Sequence, residues 1–535
     1  MAAAAASPQA AARPNFLIIM ADDMGFSDLG RYGGEIETPN LDSLAANGLR
    51  YTQAYSTARC WPSRTCLLTG YYAQQVRADP PQGRHPQWCR VLPHYLKPLG
   101  YRNYHSGKWH LNGAPLQLQD GGFDHSYTID DHNRFFSPQK ATLDEQPLPA
   151  VQEGTGFYLT TAIADYAIGF LKEHATEHAQ DPFCLYLAFT SPHFPLHALQ
   201  EDIDRYRDRY LQGWDAMRQQ RYERMVKAGL VNCPLSAPDP QTIPPWSAPE
   251  AELQSRIGPG EAGYAVPWSQ LTDAQKKFQA LKMAIHAAMV DRMDRNVGRV
   301  LDQLRQMRTF ENTVIFFVSD NGASAEQIIR GDGHDPSAPA GSARTFLCLG
   351  PGFSMASNTP LRLHKSWVHE GGISSPLIVH WPAKINDRGA LRHTPVHFVD
   401  LVPTVVELAG GALGGTWNNS TPPAMPGRSL VPTLAQDLEI PRDYLYFHHL
   451  NNRAIRVGDW KLVAAGGKED GPWELYNLRS DRCEMHNLAA QQPDKVKQLS
   501  TLWQQCEDQF RQQAGPPEPK PAKKAKPGKQ AKKST

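Results

Sequence analysis

The apolar positions of this chain fall in short unbroken runs, and the runs end in polar residues able to do chemistry. Asn15 to Met20, NFLIIM, is a β-favouring block followed by Ala21-Asp22-Asp23. Its shortness and lack of alternation predict a strand buried on both faces that delivers two carboxylates at its carboxyl end. The pattern recurs in TVIFFVSDNG, which ends at Asp320 and Asn321, in YRNYHSGKWH, which ends at Lys108 and His110, and in FCLYLAFTSPHFP, which ends at His193. Between these runs the periodicity becomes helical, from Pro39 to Asn47 with Gly48 as the stop, and from about Lys276 to Met307. Strands alternating with helices predict a largely parallel sheet covered by helices on both faces. Ligands bind such sheets at the carboxyl ends of the strands, where all four polar clusters fall.

Two regions break the pattern. Residues 194–268 read as a long irregular insertion with Trp214, Trp246 and Trp268, expected to form a lid over the site. After STPPAMPGRSLVPTL come DYLYFHHL, RAIRVGDWKLVAA and WELYNL, then a helical pattern near 493–512. These predict a small antiparallel sheet with one helix. The expected division is a disordered leader over 1–13, a catalytic domain over 14–435, an antiparallel subdomain over 436–514 and a Lys/Pro-rich tail over 515–535.

Composition narrows the function classes. With 535 residues and 41% hydrophobic content the chain can bury a large core. It contains no apolar run near the roughly 20 residues of a membrane-spanning helix, so no membrane span is expected. The net charge of +1 hides a tail from Gly515 with seven lysines and one glutamate, and subtracting that +6 leaves the remainder at −5. The tail is too polar to fold, and the remainder has no basic excess that would point to nucleic acid. The eight cysteines include no C-x-x-C pair, so neither a disulfide framework nor a zinc finger is indicated. MAAAAASPQAAARPN has no basic start and no strong apolar run, so a complete signal peptide is not visible. A periplasmic or secreted location with the signal peptide absent is expected, with the cytoplasm as the alternative.

ARCWPSRTCLLTG, Ala58 to Gly70, holds the remaining clue. Pro62 suits the first turn of a helix and Gly70 its end, which places Cys60 at the N-terminus, where free N–H groups favour an anion. Arg64 lies one turn on, on the same face. A bond from Cys60 to Cys66 is not expected, because their rise along the helix, about 9 Å, exceeds disulfide reach.

The stretch CWPSRTCLLTG resembles the formylglycine signature of the sulfatase family, C-x-P-S-R followed by three residues and L-T-G. The resemblance extends to ADDMGFSDLG and SDNG as metal motifs, to GKWH, to SPHFP and to HKSWVHEGGISSP. It implies an alkaline-phosphatase-like α/β fold, with a mixed, mostly parallel sheet between helices and a smaller C-terminal antiparallel sheet. It also implies sulfate-ester hydrolysis by a formylglycine hydrate made from Cys60, a conversion done by a formylglycine-generating or anaerobic maturation enzyme. Asp22, Asp23, Asp320, Asn321 and the oxygen on residue 60 would hold one cation, calcium in preference to magnesium because the oxygen-rich set is irregular. Arg64, Lys108, Lys365 and His193 would gather the sulfuryl oxygens. His193 with Lys365 would protonate the leaving oxygen, His110 would take a proton from the sulfated hydrate, and Asp320 one from the attacking hydroxyl. Ser374-Ser375 stands where many relatives have an arginine, a departure expected to alter substrate contacts.

Two other classes compete. A phosphoesterase or phosphonate hydrolase on the same fold would share the geometry, but two-zinc members need a histidine where this chain has Asn321 and a Ser or Thr where it has Cys60. A non-enzymatic binder of sulfated glycans would have no need of the whole constellation. The substrate, an aryl or a carbohydrate sulfate, is expected to be selected by the 194–268 insertion, by the neighbourhood of Phe135 and Phe136, and by His448 and His449.

Overall fold

The computed structural model describes residues 13–131, 133–330, 333–466 and 471–517. The expected leader up to residue 12 and the tail from residue 518 lie outside the described residues. Eleven described strands form one sheet: β1 (Asn15–Ala21), β2 (Leu49–Tyr55), β3 (Arg102–Gly107), β4 (His125–Ile129), β5 (Ala141–Leu143), β6 (Gln146–Pro147), β7 (Phe183–Ala188), β8 (Thr313–Ser319), β9 (Ser374–His380), β10 (Leu391–Arg392) and β11 (Val396–His397). Their order is β10-β2-β9-β8-β1-β7-β3-β4-β5-β6, with β11 also on β2. β8, β1, β7, β3 and β4 are mutually parallel, while β9 runs antiparallel to both β8 and β2.

This order gives the strand-end clusters their meaning. The four strands that carry them, β8, β1, β7 and β3, are consecutive neighbours with one direction, so their carboxyl ends meet along one edge. The loops keep the alignment beyond the strands. Asp320 N–H donates to Ala21 O, Asp22 N–H to Ser191 O, and Lys108 N–H to Ala188 O. Gly107, at φ +120°, permits the last of these, because a Cβ there would lie 1.9 Å from Ala188 O.

β1 is buried over its whole length, as its unbroken apolar run requires. Leu17, Ile19 and Ala21 pack in one layer with the helices Leu159–Glu177 and Asp273–Gln306. Phe16, Ile18 and Met20 pack in the other with Leu67 and Leu68 of the helix Cys60–Thr69 and Val402 and Val405 of Leu401–Leu408. A second, antiparallel sheet follows, β12 (Leu445–His449), β13 (Asn452–Val457), β14 (Trp460–Ala464) and β15 (Glu474–Asn477), covered by the helix Pro493–Ala514. Its Tyr446, Ile455 and Leu462 and the helix's Trp503 and Phe510 share a continuous apolar core with Phe16 and Ile18.

A buried ionic knot ties this second sheet to the first. Lys461 Nζ lies 2.9 Å from Glu370 Oε1 and 2.8 Å from Glu484 Oε1, and Arg482 Nε lies 3.3 Å from Glu370 Oε2. Burial alone would raise Glu370, but Lys461, Arg482 and Arg456 hold it down to about 2. The glutamate of the EGG motif is thus a structural tie.

The insertion differs from its expected irregularity. It contains the helices Gln200–Asp204, Gly213–Lys227 and Glu250–Arg256. Trp214 and Trp268 are buried and meet edge to face with ring centroids 4.8 Å apart, both against Phe353. They are core residues, and Trp246 is the exposed one of the three tryptophans named above.

Several histidines are buried as neutral rings, chiefly by desolvation: His105 and His397 are pulled down to about 3, and His85, His197 and His364 to about 4. Below pH 6.5 the unfolded chain takes up protons that these rings refuse, so their contribution is complete above pH 6.5 and is lost as pH falls toward 4. Asp294 and Asp320, raised to about 6 and about 7, oppose them but are fewer. Carboxylates held down to about 2, such as Asp28 and Glu370, act only at lower pH. The melting temperature is therefore expected to drop between pH 6.5 and pH 5, and a flat profile over that interval would contradict neutral burial.

Candidate active site

Cys60 opens the helix Cys60–Thr69, preceded by Arg59 in extended conformation. The motif residues build this start. Ser63 Oγ accepts the Thr57 N–H at 3.0 Å, anchoring the incoming loop, and Gly70 ends the helix at φ +77° with its N–H on Cys66 O. Cys60 is 3% exposed. Burial raises its thiol, while Lys108 and Lys365 pull the other way, so both ammoniums act on this side chain. Cys66 lies in the apolar core and is unbridged.

Around Cys60 the strand ends converge. One carboxylate oxygen from each of Asp22, Asp23 and Asp320 lies within 4.8 Å of the others, and Asp22, Cys60 and His193 form an overlapping group at the same spacing. All are buried. Asp23 sits at φ +65°, and its N–H donates to Asp320 Oδ1 at 3.2 Å. Asn321 Nδ2 donates to Asp23 Oδ1 at 2.7 Å.

Three cations face the three aspartates. Lys108 Nζ donates to Asp22 Oδ2, and Lys365 Nζ lies 2.7 Å from Asp23 Oδ1. Arg64 places Nε 2.9 Å from Asp320 Oδ2, Nη2 2.9 Å from the same oxygen and 3.5 Å from Asp22 Oδ2, and Nη1 3.0 Å from Lys108 O. Its guanidinium is thus turned to the carboxylates. Burial raises Asp320 to about 7, with Asp22 adding to it. For Asp22 burial also raises the pKa, but Lys108, His193, Arg64 and Lys365 outweigh it and hold the acid well below its usual range. Burial would lower Lys365, and Asp23, Cys60 and Glu326 more than reverse it.

The two histidines are neutral. Burial pulls His193 down to about 4; its Nε2 lies 3.7 Å from Asp23 Oδ2 and its Nδ1 meets the Phe194 carbonyl. Burial, then Lys108 and Arg64, hold His110 well below 6.5, and its ring centroid lies 5.7 Å from that of Trp61.

The donor set fits a hard cation. It is all oxygen from Asp22, Asp23, Asp320 and Asn321, and Asp22 Oδ1 and Asn321 Oδ1 are buried acceptors without a hydrogen-bond partner among the described residues. A buried carboxylate oxygen left bare is costly unless something positive meets it.

Sequence reasoning missed the outer wall. Glu326 is buried, 3.2 Å from Arg59 Nη2, 3.4 Å from Lys365 Nζ and 2.6 Å from the indole nitrogen of Trp246. Arg59 lies 5.6 Å from the ring centres of both Trp61 and Trp246. The insertion therefore reaches the cluster through Trp246. Nothing local to Glu326 signals this; Arg59, a charge just before the helix start, was the available hint.

The other residues expected to meet the substrate have partners of their own. Phe135 is buried against His197 and Tyr158, and His448 Nδ1 meets Glu507 of the C-terminal helix at 3.1 Å. His449 does stand near, its ring centroid 5.3 Å from that of Trp61. Ser375 Oγ accepts the Ser319 N–H and Ser374 Oγ faces Glu370, so both hydroxyls serve the sheet. A cavity of 570 Å³ bordered by Gln53, His393, Arg442 and Arg456 contains none of the cluster, so chemistry and not volume marks the site.

A mostly parallel sheet between helices with an antiparallel sheet at its flank is the alkaline-phosphatase-like fold, and here acids and cations gather at the parallel strand ends. The sequence profile of the Sulfatase family matches residues 14–412, and that described as N-sulphoglucosamine sulphohydrolase, C-terminal, matches residues 362–512. The chain belongs to the sulfatase family and is a sulfuric ester hydrolase. It is 30% identical to an uncharacterized sulfatase of Schizosaccharomyces pombe, over 92% of this chain and 93% of that one. It is 29% identical to an arylsulfatase of Klebsiella aerogenes, over 74% of this chain and 87% of the relative. A solved structure in complex with its substrate D-glucosamine-2-N,6-O-disulfate shares the fold at a TM-score of 0.63 and 22% identity, covering 94% of this chain and 98% of that one.

Replacing Arg64 by methionine keeps the side-chain volume but leaves Asp320 and Asp22 short of a counter-charge. Stability is expected to fall by about 3–5 kcal/mol, measured by denaturant unfolding of the metal-free protein. A loss below about 1 kcal/mol would mean that Lys108 alone compensates the pair.

Proposed function

We propose that this sulfatase hydrolyses carbohydrate or aryl sulfate esters with a formylglycine made from Cys60 and one calcium ion held by Asp22, Asp23, Asp320 and Asn321. The observation that carries the reading is the position of Cys60, at a helix start, within electrostatic reach of two ammoniums and beside the aspartate cluster. A buried thiol with a raised pKa is a poor nucleophile in its own right, which favours Cys60 as a precursor.

Once oxidised, the residue would supply a hydrate hydroxyl as nucleophile. Calcium, when bound, would supply charge that orients this hydroxyl and offsets that on the sulfuryl oxygens. Lys108 and Lys365 then meet the sulfate group as preorganised donors in a water-poor site. Arg64 acts as a positioning residue that holds Asp320 and Asp22. Asp320, beside the residue-60 side chain, accepts the proton of the attacking hydroxyl. His193 holds a proton for the leaving oxygen, because an anionic ester bound beside it raises the affinity that burial has lowered. His110, kept neutral by burial and by its cationic neighbours, is fitted to take a proton from the oxygen remaining on residue 60.

The maturation enzyme is a required partner in this reading, and it would act on the ARCWPSRTCLLTG segment before that segment is buried. The substrate class of the glucosamine-disulfate-bound neighbour favours a sulfated sugar, and with it a periplasmic or secreted site of action. We also place the boundary of the C-terminal subdomain near residue 436, ahead of the second sheet.

Two sets of measurements test the proposal, one for residue 60 and one for the metal. Cys60→Ala is expected to cut sulfate release by at least about 10³-fold with the fold intact, and Cys66→Ala to retain most activity. The tryptic peptide holding residue 60 should be about 18 Da lighter than its cysteine form. The reverse pattern in the two variants would sink the assignment. Separately, chelation is expected to lower both rate and melting temperature, with calcium restoring them better than zinc, and Asp22→Asn should abolish the calcium-dependent rise in melting temperature. Full activity without divalent metal would overturn the metal assignment.

A further inference from the structure

Outside the active site, Cys233 of the insertion and Cys483 of the C-terminal region bring their sulfurs together. Their Sγ atoms lie 2.7 Å apart across 250 positions of sequence, and the residues are 3% and 0% exposed. The segments around them are joined by other contacts. Tyr222 donates its hydroxyl to Cys233 O at 3.0 Å, and Ala237 N–H approaches Met485 Sδ at 3.2 Å. The backbones are thus held in register for a link with no large movement. The remaining thiols have different surroundings: Cys66, Cys89 and Cys184 are packed in apolar core.

The neighbourhood also favours sulfur chemistry. Arg482, adjacent to Cys483 and fixed on Glu370, favours a thiolate at Cys233, whose pKa is lowered first by the Cys483 contact. A thiolate beside a thiol is the arrangement that thiol–disulfide exchange needs.

We propose that Cys233 and Cys483 form a disulfide that clips the substrate-side insertion to the C-terminal region. The oxidant is a disulfide compound, small or protein-borne. The Cys233 thiolate attacks one of its sulfurs and expels a thiolate. The Cys483 thiolate then attacks the mixed disulfide at the Cys233 sulfur and expels the second. Two protein thiols are oxidised, one external disulfide is reduced to two thiols, and the two protons leave with them. Because the site closes as the chain folds, the bond is made during folding or in an opened state. The link bears on the active site, since the insertion that carries Cys233 also carries Trp246, and Cys483 adjoins the arginine that holds Glu370.

The test uses the full chain, produced in an oxidising compartment and alkylated under denaturing conditions. Thiols are counted with and without prior reduction, and non-reduced peptides are mapped by mass. The expected result is two more thiols after reduction, whatever the state of residue 60, and one cross-linked peptide pair holding residues 233 and 483, about 2 Da lighter than the two thiol peptides together. Reductant should lower the melting temperature of the native chain and leave that of Cys233→Ser/Cys483→Ser unchanged. Equal thiol counts, or a cross-link joining other cysteines, would overturn the proposal. Should the double variant fail to fold, the peptide map of the native chain decides alone.

Discussion

Three carboxylates buried side by side are the constraint on which the rest of the molecule depends. Asp22, Asp23 and Asp320 come from the ends of adjacent parallel strands, and in isolation their mutual repulsion and desolvation would force some of them to take up protons. Arg64, Lys108 and Lys365 meet them one for one. Each cation arrives from a different part of the chain, so the charge balance closes only when the sheet order, the helix start at Cys60 and the segment before β9 are all in place. Site and fold are set by the same condition.

The sheet supplies that condition with little freedom. Because β8, β1, β7 and β3 are neighbours with one direction, a shift of any one strand by a single residue would exchange its two buried faces. The two helical layers pack on opposite faces of β1, so neither layer accepts such a shift. Gly322 serves the same end: a Cβ there would lie 1.9 Å from Gly371 O, so the loop after Asp320 sits directly against the EGG segment.

Much of this was legible in the chain because double burial erases alternation. NFLIIM and TVIFFV can only be interior strands, and the polar residues that follow them must then share an edge. The helix start at Cys60 was equally open, marked by Pro62 and Gly70. The insertion was harder for a definite reason. Its helix Gly213–Lys227 buries Arg221, paired with Asp28 and Glu35, where a periodic reading looks for an apolar residue. The outer wall was invisible because Arg59 and Glu326 are 267 positions apart and acquire a role only through proximity. Arg64 was read as a donor to the sulfuryl oxygens, since spacing tells that a side chain points the right way but not which oxygen it meets first.

The ionic knot around Glu370 carries a consequence for how variants of this enzyme would be read. Lys365, which faces the aspartates, and Glu370, which anchors the second sheet, lie on one short stretch of backbone packed between β9 and the loop after Asp320. A change at Lys461 or Arg482 therefore pulls on the ammonium that faces Asp23 through five residues of chain. Damage of that kind would surface in an assay as poor turnover although its origin touches no substrate. In this protein the border between a destabilised fold and a weakened catalyst runs through a single segment.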